Sequence, residues 1–292
     1  MTRLLQVEYF KLRKRMMTWI LAAILVGLVV LLYSVLWSVS GRVETFGDRN
    51  RFTGADLRRA LFLQASVPFS LQIVAIFGSI LAMILASGAA GSEYAWGTVR
   101  LTATAASGRL RLIAAKLIVV FAMIIAGAVL AVAVGLALSS LITVSNGGAD
   151  FSFVTRAWVG HQFAATGRTL FVMMPYVTLA YAAAIIGRST LAGVGAGIGS
   201  AFIEPIASNL MRLGTGFWHS VPNFLLNANV QVIMAQNSLP EVANFGPSKR
   251  ELASRGANSV AEAAIILALY TIGFIALAFV VYRRRDITAG TG

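Results

Sequence analysis

The chain of 292 residues contains no cysteine, and charged residues make up only 12% of it. The absence of cysteine excludes a small secreted domain stapled by disulfides. Two histidines are present, and no HExxH, GxSxG or ligand-spaced cluster occurs. A GxxxxGK run followed by Ser or Thr is also absent, so this polypeptide does not cradle ATP phosphates by a P-loop. The sequence therefore predicts a protein that is not an enzyme and binds no metal or cofactor itself.

Apolar residues are abundant, at 58% of the chain, and the mean hydropathy is +0.79. These values exclude a single soluble globular core and a disordered regulator. Six apolar runs have the roughly 17–25 residues that cross a bilayer. Lipid offers no hydrogen-bond partners and the runs do not alternate every second residue, so helices are expected rather than barrel strands. The predicted fold is all-α and polytopic, with spans at about 16–39, 67–87, 117–142, 169–186, 189–211 and 263–282.

The distribution of the +13 net charge predicts the orientation of the chain. With six spans, both termini lie on the same side of the membrane. The segments on that side total 56 residues and hold 13 of the 24 Lys and Arg residues, whereas the segments on the other side total 104 residues and hold 11. The positive-inside rule therefore predicts cytoplasmic termini in a cell (plasma) membrane, such as a bacterial inner membrane. A basic cytoplasmic rim is normal for a membrane protein, so it predicts contact with membrane lipid and no nucleic-acid partner.

The first fifteen residues are predicted to form an amphipathic helix in the inner membrane interface. Leu5, Tyr9, Leu12 and Met16 fall on one helical face, and most basic residues lie elsewhere. The alternative interpretation is a cytoplasmic extension of the first span.

Two outer segments also carry local signals. A Thr53-x-x-Asp56 start signal predicts a short helix before the second span. In the long segment 212–262, residues 216–236 are too polar to cross the bilayer and too apolar to lie fully in water. This composition predicts re-entrant helices. The rest of that segment is polar and predicts a surface loop.

The fifth span carries an acid and a row of glycines. Glu204 is costly within an apolar run unless it is paired or protonated, and Pro205 predicts a kink beside it. Glu204 therefore belongs either to a transport pathway or to a structural pair with Arg212 or Arg168. Two interleaved small-xxx-small patterns predict close packing on another helix, in the same chain or, as we favour, at a dimer seam. They consist of Gly193, Gly195, Gly197 and Gly199.

The inner segment 88–116 is far longer than a tight turn requires and is predicted to hold a helix, although a solvated loop is the alternative. Four of its apolar residues can face the protein, namely Leu101, Ala105, Leu112 and Ala115. Four basic residues are then expected to meet water or a partner, namely Arg100, Arg109, Arg111 and Lys116.

The same segment resembles the inner loop of type-2 ATP-binding-cassette (ABC) transporter permeases. The shared pattern is E-x-x-x-G-T, an Arg, a small-residue stretch, and a Ser-Arg-Lys series entering the next span. The matching residues are Glu93, Gly97, Thr98, Arg100, Ser107, Arg109 and Lys116. The N-terminal helix, the six spans, the long outer segment before the sixth and the basic stretch Tyr282 to Asp286 also resemble this family.

The resemblance implies a membrane subunit that dimerises with a second permease copy or a paralogue. It implies docking of two cytosolic ABC ATPase subunits, which would bind ATP and Mg and whose closure would move the spans. The coupling surface would run from Glu93 to Arg109 and include Tyr94, and residues 216–236 would form an outer gate. Export of a drug, antibiotic, peptide or lipid-like molecule is the implied function. The alternatives are a self-sufficient ion-coupled secondary transporter using Glu204, and a noncatalytic membrane scaffold.

Overall fold

The computed structural model describes residues 1–42, 45–46, 52–95, 109–146, 151–237 and 247–284. Within these ranges the chain is helical except for connecting turns and one antiparallel pair of two-residue strands, Thr45–Phe46 and Phe52–Thr53. Six helices among the described residues are long and apolar enough to cross a membrane. The all-α prediction is therefore confirmed, and the chain is a multi-pass membrane protein.

The six spans, numbered in chain order, are Met16–Ser40, Ser66–Ser92, Leu110–Ser145, Arg156–Gly187, Thr190–Arg212 and Val260–Arg284. Span 2 is built from the helix Ser66–Ile73, a π-helical turn Val74–Gly78 and the helix Ser79–Ala95. The helix of span 3 begins at Arg109. The shorter helices are Thr2–Lys14, Gly54–Leu61, Phe217–Ser220, Leu226–Met234 and Lys249–Ser254, with 3-10 turns at Val221–Phe224 and Ala235–Asn237.

The helices of spans 3 and 4 begin well before the apolar runs predicted. Span 4 begins at Arg156 instead of residue 169, and the side chain of Thr155 caps it by accepting a hydrogen bond from the Trp158 N–H. The helix of span 3 begins at Arg109 instead of residue 117. Hydropathy marks where lipid can surround a helix, whereas the backbone hydrogen-bond ladder continues through polar residues until a cap ends it.

The short helix Gly54–Leu61 confirms the start signal in the sequence. The Asp56 N–H donates to Thr53 Oγ1 at 3.2 Å, and the Thr53 N–H donates to Asp56 Oδ2 at 2.9 Å. Both partners lie three residues apart, so this capping box forms from local sequence alone. The predicted surface loop in the second half of segment 212–262 is wrong in part, because Ser248 caps a helix at Lys249–Ser254.

The bundle has two ends that are recognisable from their contacts. At one end Tyr181 of span 4 donates to the Ile113 carbonyl at the start of span 3, at 3.2 Å, and Gly91 of span 2 lies against Thr190 of span 5. We call this the terminal end, because the N-terminal helix lies there. At the opposite, distal end, the Trp158 indole N–H donates to the Gln64 carbonyl.

Spans 1 to 4 supply most of the apolar core. Val29, Val74, Val120 and Val177 are almost completely buried within it. Spans 1, 5 and 6 also carry exposed apolar side chains, including Leu31, Ile203 and Leu269. A bilayer accommodates such faces because lipid is as apolar as the side chains themselves.

Candidate functional site

The N-terminal helix is joined to span 3 by a buried ion pair at the terminal end. Lys116 Nζ lies 2.9 Å from Glu8 Oε2, and Lys11 Nζ lies 2.8 Å from Glu8 Oε1. Glu8 and Lys116 are only 2% and 5% exposed. A buried charge is tolerated only when it is paired, so Glu8 and Lys116 hold their helices in one relative position.

This pair corrects the predicted environment of Lys116. The sequence placed Lys116 with the residues that meet water or a partner, but the structure buries it against Glu8. The predictions for Leu112 and Ala115 are confirmed, since both are buried, and Arg111 is exposed as expected. Leu101 and Ala105 lie outside the described residues.

The N-terminal helix also has a buried face, which the sequence did not predict. Glu8 and Leu12 are its buried residues, and Leu5 packs against the same core. Tyr9 and Met16, on the face predicted to meet the membrane interface, are 46% and 81% exposed, and their place in the interface stays a prediction. Sequence reasoning missed Glu8 because an acid on a packing face contradicts the hydrophobic pattern; the available signal was that it is the only acid among five nearby basic residues.

The electrostatics of the pair keep Glu8 ionised. Burial raises the pKa of the Glu8 carboxyl, but the attraction of Lys116 and the hydrogen bonds from Lys11 and Lys116 outweigh it, so the pKa lies below its ordinary value. Near neutral pH the carboxylate therefore carries a full charge between two ammonium groups.

A second contact ties the N-terminal helix to span 2. Arg15, which follows that helix directly, donates from Nη1 to the Gly88 carbonyl at 3.1 Å and to Ser92 Oγ at 2.8 Å. Nearby, a Cβ at Gly91 would lie 2.6 Å from Thr190 Cα, so span 2 meets span 5 at backbone distance. Together, the Glu8 pair and Arg15 connect the N-terminal helix to the helices on both sides of residues 96–108. We call this set of contacts the terminal clamp.

The predicted coupling residues stand beside the terminal clamp in the chain. Glu93 and Tyr94 lie in the last turn of the helix Ser79–Ala95, and Arg109 begins the helix of span 3. The side chains of Glu93 and Arg109 lie outside what the structure describes, as do the predicted coupling residues Gly97, Thr98 and Arg100 and the matching residue Ser107.

The four glycines of span 5 divide into two pairs with different surroundings. A Cβ at Gly193 would lie 2.6 Å from the Ala180 carbonyl oxygen, and one at Gly197 would lie 2.8 Å from Met83 Sδ. No atom lies within 4 Å of a Cβ built at Gly195, and one at Gly199 would meet only Ile203 of its own helix, at 4.0 Å. The 193/197 pattern therefore packs inside this chain, on spans 2 and 4.

Glu204 lies at the start of another helix. Its Oε1 accepts a hydrogen bond of 2.7 Å from the backbone N–H of Asn227, in the first turn of Leu226–Met234. The first N–H groups of a helix have no partner within the helix, and a carboxylate there also interacts favourably with the helix dipole. Glu204 therefore has a structural partner, although a different one from those predicted.

The arginines predicted to pair with Glu204 hold other elements at the distal end. Arg212 donates to the Arg255 carbonyl and to Asn223 Oδ1, both at 3.3 Å. Arg168 donates to the Gln236 carbonyl at 2.7 Å and to Asn237 Oδ1 at 3.0 Å. Backbone carbonyls at the ends of helices compete for these guanidinium groups, and the sequence could not reveal which acceptors would be near.

A network of asparagines fixes the helices of the distal segment on span 6. Asn229, which is 1% exposed, donates to the carbonyls of Asn223 and Leu225. Asn258, just before span 6, donates to the Asn223 carbonyl and to Asn229 Oδ1. These bonds satisfy backbone carbonyls that the short helices leave open. Residues 216–236 form short helices, and their re-entry into a membrane stays a prediction.

The described residues contain no group of three or more His, Asp or Glu residues placed to hold a metal ion. The buried charges of Glu8 and Lys116 link two helices at the terminal end. Such an arrangement can transmit a displacement, because helices joined by paired buried charges move together.

The fold and these contacts define a multi-pass helical membrane protein. At its terminal end a buried ion pair joins the N-terminal helix to span 3. Residues 61–288 match the family described as "Protein of unknown function (DUF2705)", so the chain belongs to this family. The match begins at the last residue of the helix Gly54–Leu61 and covers spans 2 to 6. No protein among the curated ones matches the chain.

Proposed function

We propose that this chain is the permease subunit of an ABC transporter and works with separate cytosolic ATPase subunits. The observation that carries the proposal is the terminal clamp. A partner that pushed on residues 96–108 would act on the ends of spans 2 and 3, and Glu8, Lys116 and Arg15 would pass that movement to the N-terminal helix. The resemblance to type-2 permeases implies ATPase contact at two places, the segment from Glu93 to Arg109 and the N-terminal helix.

The proposal includes an orientation, with both termini in the cytoplasm of a bacterial cell. The N-terminal helix would lie in the inner interface, where its exposed Tyr9 and Phe10 suit the headgroup region, as does the exposed Trp19 at the start of span 1. Exposed basic residues at the terminal end support this orientation, since the inner leaflet is anionic. They are Arg3, Arg13, Lys14, Arg111, Arg188, Arg283 and Arg284.

The substrate pathway would form between two permease copies or between this chain and a paralogue. An exposed helix face around Gly195 and Gly199 on span 5 is available for such a contact. By analogy with type-2 permeases, the cargo would be a drug, antibiotic, peptide or lipid-like molecule moving outward. An ion-coupled transporter using Glu204 is less well supported, because one oxygen of that carboxylate is already bonded to the Asn227 N–H.

The absence of cysteine from the chain allows a direct test of the orientation. We expect Ser107→Cys to stay unlabelled by a membrane-impermeant maleimide in intact cells and to react after the cells are opened. Asn146→Cys, which follows span 3 at the distal end, is the matched control and should react in intact cells. The reverse pattern would remove residues 96–108 from the cytoplasm and contradict the proposal.

The coupling itself is tested by purifying the tagged chain from its native host and measuring ATP hydrolysis by the proteins that accompany it. If Glu93 contacts the ATPase, Glu93→Arg should lower the accompanying activity at least about tenfold, since a lost charge pair and a new repulsion weaken docking. Glu251→Arg, the same change at the distal end, should leave it unchanged. Wild-type chain that transports without nucleotide, or equal activity from both variants, would contradict the proposal.

A further inference from the structure

An apolar groove of about 240 Å³ lies at the terminal end, between the N-terminal helix and spans 1, 2 and 3. Its buried wall is formed by aliphatic side chains, among them Leu21, Leu25, Val74, Leu85 and Ile124. Exposed residues on spans 1 and 3 border it, including Trp19 and Leu130. The groove therefore opens sideways, towards the space that lipid occupies around the bundle.

The polar residues of the groove are confined to one end. They are Tyr9 and Arg13 on the N-terminal helix and Thr18 at the start of span 1. Thr18 Oγ1 donates to the Leu12 carbonyl at 2.7 Å, and the Trp19 indole N–H donates to the Arg13 carbonyl at 2.9 Å. Within the part of the chain that the structure describes, the Arg13 guanidinium has no hydrogen-bond or ion-pair partner. An exposed cation thus stands at the mouth of an otherwise apolar groove.

The depth of the groove corresponds to one leaflet. Along span 2 the lining residues run from Val74 to Leu85, a rise of about 16 Å at roughly 1.5 Å per residue. The hydrocarbon core of a bilayer is about 30 Å thick, so half of it is about 15 Å. A lipid whose headgroup lies level with Arg13 could extend one acyl chain along this length.

Two glycines and the π turn of span 2 keep the floor of the groove open. Val74 and Gly78, at the two ends of the π turn, both line it. Gly127 of span 3 lines it as well, and a Cβ there would lie 3.7 Å from Leu25 Cδ2. A larger side chain at Gly127 would therefore enter the groove, which gives a way to close it without touching its charged end.

We propose that this groove is a binding site for one anionic glycerophospholipid, with an acyl chain along spans 1 to 3 and the phosphate at Arg13. Bulk lipid tails are as apolar as the groove, so burial of the chain alone gives little preference over the surrounding bilayer. The preference comes from the match between the guanidinium and an anionic headgroup at the depth where the chain fits. This site belongs to the chain alone and is independent of any ATPase partner.

The proposal is tested by native mass spectrometry of the purified chain, titrated with phosphatidylglycerol or phosphatidylcholine from neutral detergent. We expect phosphatidylglycerol to bind more tightly, and Arg13→Gln to weaken its binding about fivefold, the effect of removing one basic residue near a lipid surface. Arg3→Gln is the matched control, since it makes the same charge change on the same helix outside the groove. Equal weakening by both variants would show a general charge effect and overturn the proposal.

Filling the groove provides the second arm of the test. Gly127→Leu should abolish the tight binding of phosphatidylglycerol, whereas Gly273→Leu, at an exposed position of span 6 with open space around it, should not. Unchanged binding in Gly127→Leu, or equal binding of the two lipids to the wild-type chain, would mean an ordinary lipid coat and overturn the proposal. Should Gly127→Leu fail to fold, the comparison of Arg13→Gln with Arg3→Gln decides alone.

Discussion

Glu8→Gln is expected to lower the free energy of unfolding by about 3–5 kcal/mol, the cost of leaving a buried charge without its partner. The variant keeps the shape of the side chain but removes the negative charge that faces both Lys116 and Lys11. Lys116 is 5% exposed and cannot recover water without moving span 3. Denaturant unfolding in mild detergent, followed by circular dichroism, measures the loss.

Two companion variants separate the charge from the packing. Lys116→Met should lower the free energy of unfolding less than Glu8→Gln does, because Glu8 keeps Lys11 as a partner. The double variant Glu8→Leu with Lys116→Met should recover most of the loss, since a buried ion pair replaced by apolar side chains is often neutral. A Glu8→Gln protein as stable as the wild type would contradict the assignment of Glu8 as the link between the N-terminal helix and span 3.

The same pair predicts how stability depends on pH. The pKa of Glu8 is lower in the folded protein than its ordinary value of 4.5, so its contribution is fully present above that value. As the pH falls through the depressed pKa of the folded state, the carboxylate takes up a proton and the contribution is lost. The stability difference between wild type and Glu8→Gln should therefore be constant near neutral pH and shrink in strong acid.

The glycines of span 5 give the second large effect, with opposite signs at neighbouring positions. Gly193→Ala should destabilise the protein by about 1–3 kcal/mol, because a methyl group there meets a backbone carbonyl that cannot move independently. Gly197→Ala should destabilise the protein less than Gly193→Ala, since Met83 can change its rotamer to make room for the methyl group. Gly195→Ala should be neutral or stabilising by up to about 1 kcal/mol, because Ala is the better helix former and space is open.

Thermal unfolding in detergent ranks the glycine variants, and chemical cross-linking measures their effect on association. If the face around Gly195 is a subunit seam, Gly195→Leu should reduce cross-linked dimer while leaving the unfolding temperature near that of the wild type. Gly193→Ala and Gly195→Ala with equal losses of stability would contradict the packing of the 193/197 pattern inside the chain.

Features that depend on neighbouring residues could be predicted from the sequence. The capping box of Thr53 and Asp56 needs two residues three positions apart, and it formed as expected. Each of the six spans is long and apolar enough to be recognised by its hydropathy. The start of span 4 was predicted too late, because Thr155 caps the helix before the apolar run begins. The π turn at Val74–Gly78 had no signal in the apolar pattern that surrounds it.

The candidate site depended on partners that are distant in sequence. Glu8 and Lys116 are 108 residues apart, and hydrophobic periodicity assigned neither of them to a buried position. The four glycines of span 5 follow one spacing rule, yet only Gly193 and Gly197 face spans 2 and 4. Glu204 was recognised as needing a partner, but the Asn227 N–H became available only through the turn that brings Leu226–Met234 back onto span 5.

By itself, then, the sequence determined that this protein has six apolar helices. It also determined, through local capping signals, where some of the shorter helices between them begin. Both properties follow from the solvation of side chains and from hydrogen bonds within one turn. The tertiary structure alone decided which charges are buried together, which glycines are contact points and where the groove beside Arg13 opens. Those outcomes depend on how rigid helices pack across long stretches of chain, where a shift of one residue along a helix turns a side chain to another face.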